Sequence, residues 1–443
     1  MNLQNVIEAT IKESVSKILL YSAESASKLM FTDLTENTKK EMNDLGTKIL
    51  SFIVSQVEEN FEKSRDRHKI VIRNKNKKRR LLTEMGEVEI NHTLYCDKAS
   101  RRYFFAVDEM LQIDKKTRIE SGMKAKLISD ATITSYGKAS ELADCAVSRQ
   151  TVFNLVKKLK NISAPVIQTN LNAENVFIEA DEDHIHLNTS RPAEVKLVYV
   201  HEGRREENGR ETLINPRYFV SAKQRSEEIW NDADEYVNKY YRPYRANVHL
   251  SGDGAQWIRQ GEKLFPGVEY HLDKFHVLRA LTLLSSGNKR LLRLLKDATY
   301  SGDEQLFRSL CDDYVLKTRD NDRAIMYITE NFPYIDSENT CCAESHVSHV
   351  LSSRMSSRPM GWSREGAERI GKLRAFYFNQ GNFRKLVESQ KTKTQEENQG
   401  RVHYNNVLKK DGTLYEPPQA KIATFRASYA EYANTIKNII ENL

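Results

Sequence analysis

Three acids in this chain stand where a divalent cation could be held. Asp181 closes the apolar run Val176-Phe-Ile-Glu-Ala, and Asp253 closes Asn247-Val-His-Leu-Ser-Gly, so each reads as a carboxylate at the carboxyl end of a strand. If those strands are neighbours, both side chains meet at one edge of a sheet. Two carboxylates held together repel each other unless cations neutralise them, and hard oxygen donors select Mg²⁺ or Mn²⁺. Glu344 shares a helical face with Val347 and Leu351, which turns its carboxylate toward the same core. Two ions held this way can activate a water or a DNA 3′-hydroxyl and stabilise the leaving oxygen of a phosphodiester. Asp273, which closes Val268-Glu-Tyr-His-Leu, and His276 would either order this site from behind the ligands or pair structurally.

Each acid has a plainer alternative. Glu182 and Asp183 compete with Asp181, and Asp253 reads equally as a turn residue in Ser251-Gly-Asp-Gly. Glu365 competes with Glu344, but it follows Gly361-Trp-Ser, where the helix dipole explains an acid in a first turn. A rival zinc site draws on His184 and His186, or on Cys341, Cys342, His346 and His349, yet neither set has the separated pairs of a zinc motif. No phosphate-cradling P-loop and no local Ser or Cys nucleophile elbow is present.

The elements that must position these acids are legible as well. Val176–Asp181, Glu194–Val200 and Arg217–Val220 read as three strands, followed by a helix over 226–241, the strand ending at Asp253, a helix, and the strand ending at Asp273. That order is the one of a ribonuclease H-like α/β core, a mixed sheet flanked by helices. Residues 280–335 are charged and helical without strands, as an insertion would be.

Ahead of this core, the charge is concentrated. The 443 residues carry net +7, but Ser64 to Arg80 holds nine basic residues and one acid, leaving 59 basic against 60 acidic residues elsewhere, net −1. Such a segment suggests a polyanion contact at one place, with Arg73, Lys75, Lys77, Lys78, Arg79 and Arg80 as candidate DNA contacts. Its middle, from Ile70, reads as a short strand, and Gly86–Tyr95 and Arg102–Val107 as a hairpin beyond it. Residues 136–159 have helix-turn-helix layout, with a turn at Cys145 and Ser148 capping the second helix. Val152, Leu155, Val156 and Leu159 pack inward in that layout, leaving Arg149, Gln150, Asn154, Lys157 and Lys158 for a DNA groove. In front of all this, Leu50, Ile53, Val54, Val57 and Phe61 mark a helical packing or dimerisation module.

Composition excludes several classes. Mean hydropathy is −0.63, and no apolar run approaches the roughly 18 residues of a membrane span. The first residues lack the basic and apolar regions of a secretory signal. Five cysteines without a CxxC pair indicate no disulfide framework, so a reducing cytoplasm is expected.

At the three acids the chain becomes recognisable. Glu179-Ala-Asp-Glu-Asp, Ser251-Gly-Asp-Gly-Ala, Asp273-Lys-Phe-His-Val and the long block Ala343-Glu-Ser-His-Val-Ser-His-Val-Leu-Ser-Ser-Arg-Met-Ser-Ser-Arg-Pro-Met-Gly-Trp-Ser resemble the DDE transposases of bacterial insertion sequences, most closely the ISLre-type family. Thr83-Glu-Met-Gly-Glu-Val and Val107-Asp-Glu-Met-Leu extend the resemblance into the N-terminal part. It implies a catalytic triad and metal-ligand set of Asp181, Asp253 and Glu344, two Mg²⁺ or Mn²⁺ ions, and His276 at a family position after the second acid. It further implies DNA partners, namely element terminal inverted repeats and target DNA, and a homodimer working on them at the nucleoid. The organisation expected is a helical module at 1–63, a basic segment and hairpin at 64–112, a helix-turn-helix region at 113–165, a catalytic domain at 170–390 with its insertion at about 280–335, and a linker and terminal helix at 391–443.

Overall fold

Two helices, α1 (Leu3–Glu24) and α2 (Phe31–Ser64), precede the basic segment. The structure, a computed structural model, describes residues 3–24, 30–144, 146–166, 168–189, 192–242, 245–265, 267–336, 341 and 343–390. Cys145, Cys342 and the expected linker and helix at 391–443 lie outside the described residues. On α2, Val54, Val57 and Phe61 are buried as their spacing predicts, whereas Ile53 is exposed. They pack on a three-stranded antiparallel sheet of β1 (Ile70–Thr83), β2 (Gly86–Asp97) and β3 (Arg102–Phe105), in the order β1-β2-β3. The basic run is therefore strand along most of its length, longer than its pattern suggests. α3 (Ala106–Met110) takes over where the reading from sequence extends the last strand to Val107.

β1 is an edge strand, and its register against β2 shifts twice between Ile72 and Lys77. Arg73, Lys75, Lys77, Lys78 and Arg80 are all exposed. Arg79 is not, which corrects its place among the DNA contacts. Its guanidinium donates to both Asp108 carboxylate oxygens at 2.8 and 2.7 Å and to the carbonyls of Asp114 and Thr117, each at 2.7 Å. Strand alternation turned this one cation inward. Arg79→Met should cost about 3–5 kcal/mol in denaturant unfolding, because Asp108 would stay buried without its partner. Arg80→Met should be near neutral, and equal effects of the two would contradict the assignment.

The region with helix-turn-helix layout in the sequence holds α4 (Ser121–Ile133), α5 (Tyr136–Glu141) and α6 (Arg149–Lys157). Ser148 caps α6 by accepting from the Thr151 amide, as expected. Val152, Val156 and Leu159 are buried and Leu155 partly so, while Arg149, Gln150, Asn154, Lys157 and Lys158 are exposed.

The larger sheet is built from β4 (Asn175–Leu187), β5 (Pro192–His201), β8 (Arg217–Ser221), β9 (Asn247–Gly252), β10 (Glu269–Leu272) and the short β11 (Gly361–Trp362). Between β5 and β8, β6 (Arg204–Glu207) and β7 (Arg210–Leu213) form a separate hairpin. Its Asn208-Gly209 turn has φ of 52° and 74°, the left-handed pair a two-residue hairpin loop needs. That dipeptide is the signal by which the hairpin, absent from the sequence reading, could have been found. The order is β10-β9-β4-β5-β8, with β11 alongside β4. β4, β9 and β10 are parallel, whereas β5 is antiparallel to both β4 and β8.

Alternation along the strands separates two cores. Val176, Ile178, Ala180, Val198, Val200, Val248 and Leu250 face one side, covered by α7 (Glu227–Tyr240), the short α8 (Gln256–Arg259) and the helices α9 (Lys274–Leu284), α10 (Lys289–Tyr300), α11 (Glu304–Tyr314) and α12 (Arg319–Glu330). Ile185, Leu187, Val195, Leu197 and Val220 face the other. That side is covered by α4 to α6, by α13 (Ala343–Val347) and α14 (Ser353–Met355) with a π-helical turn between them, and by α15 (Arg364–Phe378). The molecule is thus a mixed sheet flanked by helices. No helix among the described residues is long and apolar enough to cross a membrane.

Candidate active site

Asp181 does not end its strand. β4 runs on to Leu187, which corrects the expectation that the strand closes at position 181. The strand's surroundings produce the opening instead. β9 pairs with β4 only as far as Glu179↔Ser251, and β11 joins only at His186 and Leu187. Between them the edge of β4 is unpaired, and Asp181 lies there, 5% exposed. Its alternation with Ala180 and Ile178 sends it to the face covered by α13.

β9 ends at Gly252, and the chain turns through Asp253. A Cβ at Gly252 would lie 3.0 Å from the Ala180 carbonyl oxygen and 2.7 Å from Ile258, so only glycine lets the two strands come this close. Gly254 has φ +92°, which a side chain rarely tolerates. Asp253 Oδ1 accepts from the Ala255 amide at 2.8 Å, and the Tyr327 hydroxyl on α12 donates to the Asp253 carbonyl at 2.9 Å. The inserted helices thereby fix the second acid.

Glu344 sits in the first turn of α13, between buried Ala343 and Val347. Its side chain is exposed, not turned into the core as its spacing suggests. The π turn after α13 frees backbone carbonyls that Arg374 takes up, donating to Val350 at 2.7 Å.

The structure gathers Asp181, Glu344 and His276, whose ligand atoms all lie within 4.8 Å of one another. His276 therefore stands beside Asp181 and Glu344, where the reading from sequence places it behind them. Asp273 is 1% exposed, accepts from the Phe275 amide at 2.9 Å and stands 3.8 Å from His276 Nε2. Asp253 is not in the tightest group, but its charge acts on Asp181. Burial above all, then the charges of Asp253, Glu344 and Glu182, push the Asp181 carboxyl up to about 8, against the Glu182 amide that donates to Oδ1.

Two buried polar atoms test whether a cation fits. Asp181 Oδ2 and His276 Nε2 have no hydrogen-bond partner, although both residues belong to the gathered group. A divalent cation would satisfy both and relieve the carboxylate repulsion. The carboxylates suit Mg²⁺ or Mn²⁺, and the imidazole nitrogen makes Mn²⁺ the easier fit.

The competing acids are engaged elsewhere. Glu182 accepts from the Trp257 indole at 2.6 Å, and Asp183 accepts from the Ser356 hydroxyl at 2.8 Å. Glu365 is exposed in the first turn of α15, behind the capping Ser363. His184 and His186 are exposed on β4, and neither zinc set forms a three-donor group among the described residues.

One buried network had no sequence signal. Glu179, 3% exposed, accepts from Tyr199, from His201 Nε2 at 3.1 Å and from Arg204 at 2.8 Å. Burial would raise its pKa, but His201, Arg204 and Tyr199 outweigh burial and hold it at about 2. Those partners come from β5 and the β6–β7 hairpin, so the pattern around Glu179 does not reveal them.

Comparison with known proteins adds a family. The model of an uncharacterised protein family, UPF0236, matches residues 25–393. The UPF0236 protein TTE2489 of Caldanaerobacter subterraneus subsp. tengcongensis is 33% identical over 373 residues, 80% of each chain. A second relative from the same strain, 32% identical over 373 residues and covering 80% of this chain and 79% of its own, is printed under eleven designations, from TTE0033 to TTE2212. Among solved structures, a simian T-cell lymphotropic virus intasome bound to PP2A regulatory subunit B56 gamma aligns over 54% of this chain and 78% of its own at 12% identity. Its TM-score is 0.15, too low to carry an argument. On the breadth of the family match and the identity of these relatives, this chain belongs to the uncharacterised protein family UPF0236.

Proposed function

We propose that this protein is a DDE transposase of a bacterial insertion sequence, cutting DNA at the element's ends and joining it to a target. The observation that carries the reading is the convergence of Asp181 and Glu344, with Asp253 close enough to raise the Asp181 pKa, around a buried carboxylate oxygen that lacks a partner. The strand order β10-β9-β4-β5-β8, with only β5 reversed among the central strands, supports a ribonuclease H-like core. The repeated designations of one relative in a single strain fit a gene present in many copies.

Asp181, Glu344 and Asp253 would hold two Mg²⁺ or Mn²⁺ ions. Ions bound there supply positive charge to the scissile phosphate and lower the pKa of an attacking water or 3′-hydroxyl. Asp181 gives a fixed carboxylate on the sheet. Asp253 fixes the opposite side through a turn braced by α12, and Glu344 on its helix orients the nucleophile. His276, beside them, can contact the phosphate or complete the ligand set. The exposed cations of β1 and α6 would bind the terminal inverted repeats and target DNA, with two copies on one DNA.

The test is an assay with oligonucleotides of the element's ends and Mn²⁺. Asp253→Ala and Glu344→Ala should each lose cleavage and joining while keeping end binding, whereas Glu365→Ala should retain both. Full activity of Glu344→Ala would remove the third acid from the site. A structure-specific nuclease is the nearest alternative, since the same residues cleave without rejoining; cleavage without any strand-transfer product would favour it.

A further inference from the structure

A second set of donors lies on the same sheet face, toward the other end of β9. His249 is on β9, and Glu269 and His271 are on the edge strand β10, with register pairs His249↔Glu269 and Ser251↔His271. His249 precedes Asp253 by four residues, roughly 13 Å along a strand, so this group is distinct from the candidate active site.

The three ligand atoms form a compact triangle. His249 Nδ1 is 3.2 Å from His271 Nε2 and 3.3 Å from Glu269 Oε2, and His271 Nε2 is 3.9 Å from Glu269 Oε2. Zn–N distances near 2.0–2.1 Å set the ligands of a tetrahedral zinc about 3.4 Å apart, so these sides match three corners of such a site.

The outer nitrogens fix what the inner ones can do. His249 Nε2 faces Asn175 Oδ1 at 3.3 Å, and that oxygen also accepts from Asn247 Nδ2 at 3.1 Å, so the His249 proton belongs on Nε2. His271 Nδ1 faces Asp336 Oδ2 at 3.7 Å, a carboxylate that favours a proton there. Both inner nitrogens then present lone pairs to each other and to the Glu269 carboxylate. A proton placed among them would make one ring an imidazolium, which burial and the neighbouring ring disfavour at His249, whereas one metal ion takes up all three lone pairs. A carboxylate or amide oxygen behind each ligating imidazole is also the usual support of a metal-bound histidine. The Phe177 ring stacks on His249 at 5.0 Å and holds it in place.

We infer that His249 Nδ1, His271 Nε2 and Glu269 Oε2 bind a Zn²⁺ ion, with a fourth position open to water beside the largely exposed Glu269. Nitrogen donors select zinc over the hard cations suited to Asp181. The ion ties the edge strand β10, which leads into Asp273 and His276, to β9, which leads into Asp253. Its role is to brace the strands under the acids.

The test uses the whole protein stripped with a chelator and titrated with Zn²⁺ by calorimetry and with Co²⁺ by visible absorption. Asp181→Asn with Glu344→Gln serves as background to remove the other candidate site. In that background, one Zn²⁺ should bind per chain, and Co²⁺ should show the absorption of four-coordinate nitrogen and oxygen ligation. His249→Gln with His271→Gln should weaken binding at least about a hundredfold. Glu269→Gln, at an exposed position that cannot endanger folding, should weaken it at least tenfold. Absence of Zn²⁺ binding in the background protein, or undiminished binding by Glu269→Gln or by the double histidine variant, would overturn the assignment. Because the background lacks two of the candidate catalytic acids, loss of the transposase reading would leave this result standing, and the reverse holds too.

Discussion

Asp181→Asn is expected to abolish DNA cleavage, by about three orders of magnitude or more, and at the same time to make the metal-free protein more stable above neutral pH. Both effects come from one buried carboxylate. In the unfolded chain Asp181 titrates at its ordinary value near 3.9, while in the fold burial and then the neighbouring acids push it up to about 8. A carboxyl raised in this way favours the folded state most when it is protonated in both states, below about pH 4. That contribution is lost progressively as pH rises through about 8, where the fold must carry the charge. The penalty is on the order of several kcal/mol. Thermal melts of the metal-free wild type should therefore fall between pH 5 and 9 more steeply than those of Asp181→Asn, and Mn²⁺ should restore only the wild type. Parallel melting profiles for the two proteins, or retained cleavage by Asp181→Asn, would dismiss Asp181 as the central ligand.

A second large effect is expected in DNA binding. Replacing Arg73, Lys77, Lys78 and Arg80 with Gln should reduce the slope of log affinity against log salt by up to about 3.6, at about 0.9 for each phosphate contact. Adding Arg79→Gln should leave the slope unchanged and lower stability, since Arg79 is engaged with Asp108. The reduction should fall short of its maximum because Lys78 pairs with Glu89 at 2.9 Å and Arg80 with Glu87 at 3.2 Å, pairs that must open to reach phosphate. A plainer role exists for these cations: charged side chains on an edge strand keep other strands from pairing with it. In that case the variant would keep the wild-type salt slope and self-associate instead. The same measurement on Arg149, Lys157 and Lys158 of α6 separates the two candidate DNA surfaces.

Local chemistry was readable wherever it depends on neighbours in the chain. The alternation of Val176, Ile178 and Ala180 marked β4, Ser148 marked the start of α6, and the strand and helix order of 175–275 was legible from periodicity and turn residues. The acids were visible because each follows or interrupts an apolar run. Where the expectation failed, a partner distant in sequence decided. Asp181 lies, buried, beside an unpaired stretch of strand edge because β9 stops at Gly252 and β11 starts only opposite His186, not because β4 ends. Glu344 is exposed in the first turn of α13, ahead of a π-helical segment held by Arg374, where its spacing alone suggests a buried side chain. Arg79 looks like its basic neighbours in the sequence, and only the fold brings Asp108 beneath it.

The sequence by itself, then, marked most of the strands and helices and the acids that are candidates for a cation, since both follow from residue type and short-range spacing, but it missed the β6–β7 hairpin and the true ends of β1 and β4. Tertiary structure alone decided which side chains meet: His276 with Asp181 and Glu344, Glu179 with His201 and Arg204, and His249 with His271. Those meetings depend on the order and register of strands, which local patterns do not encode.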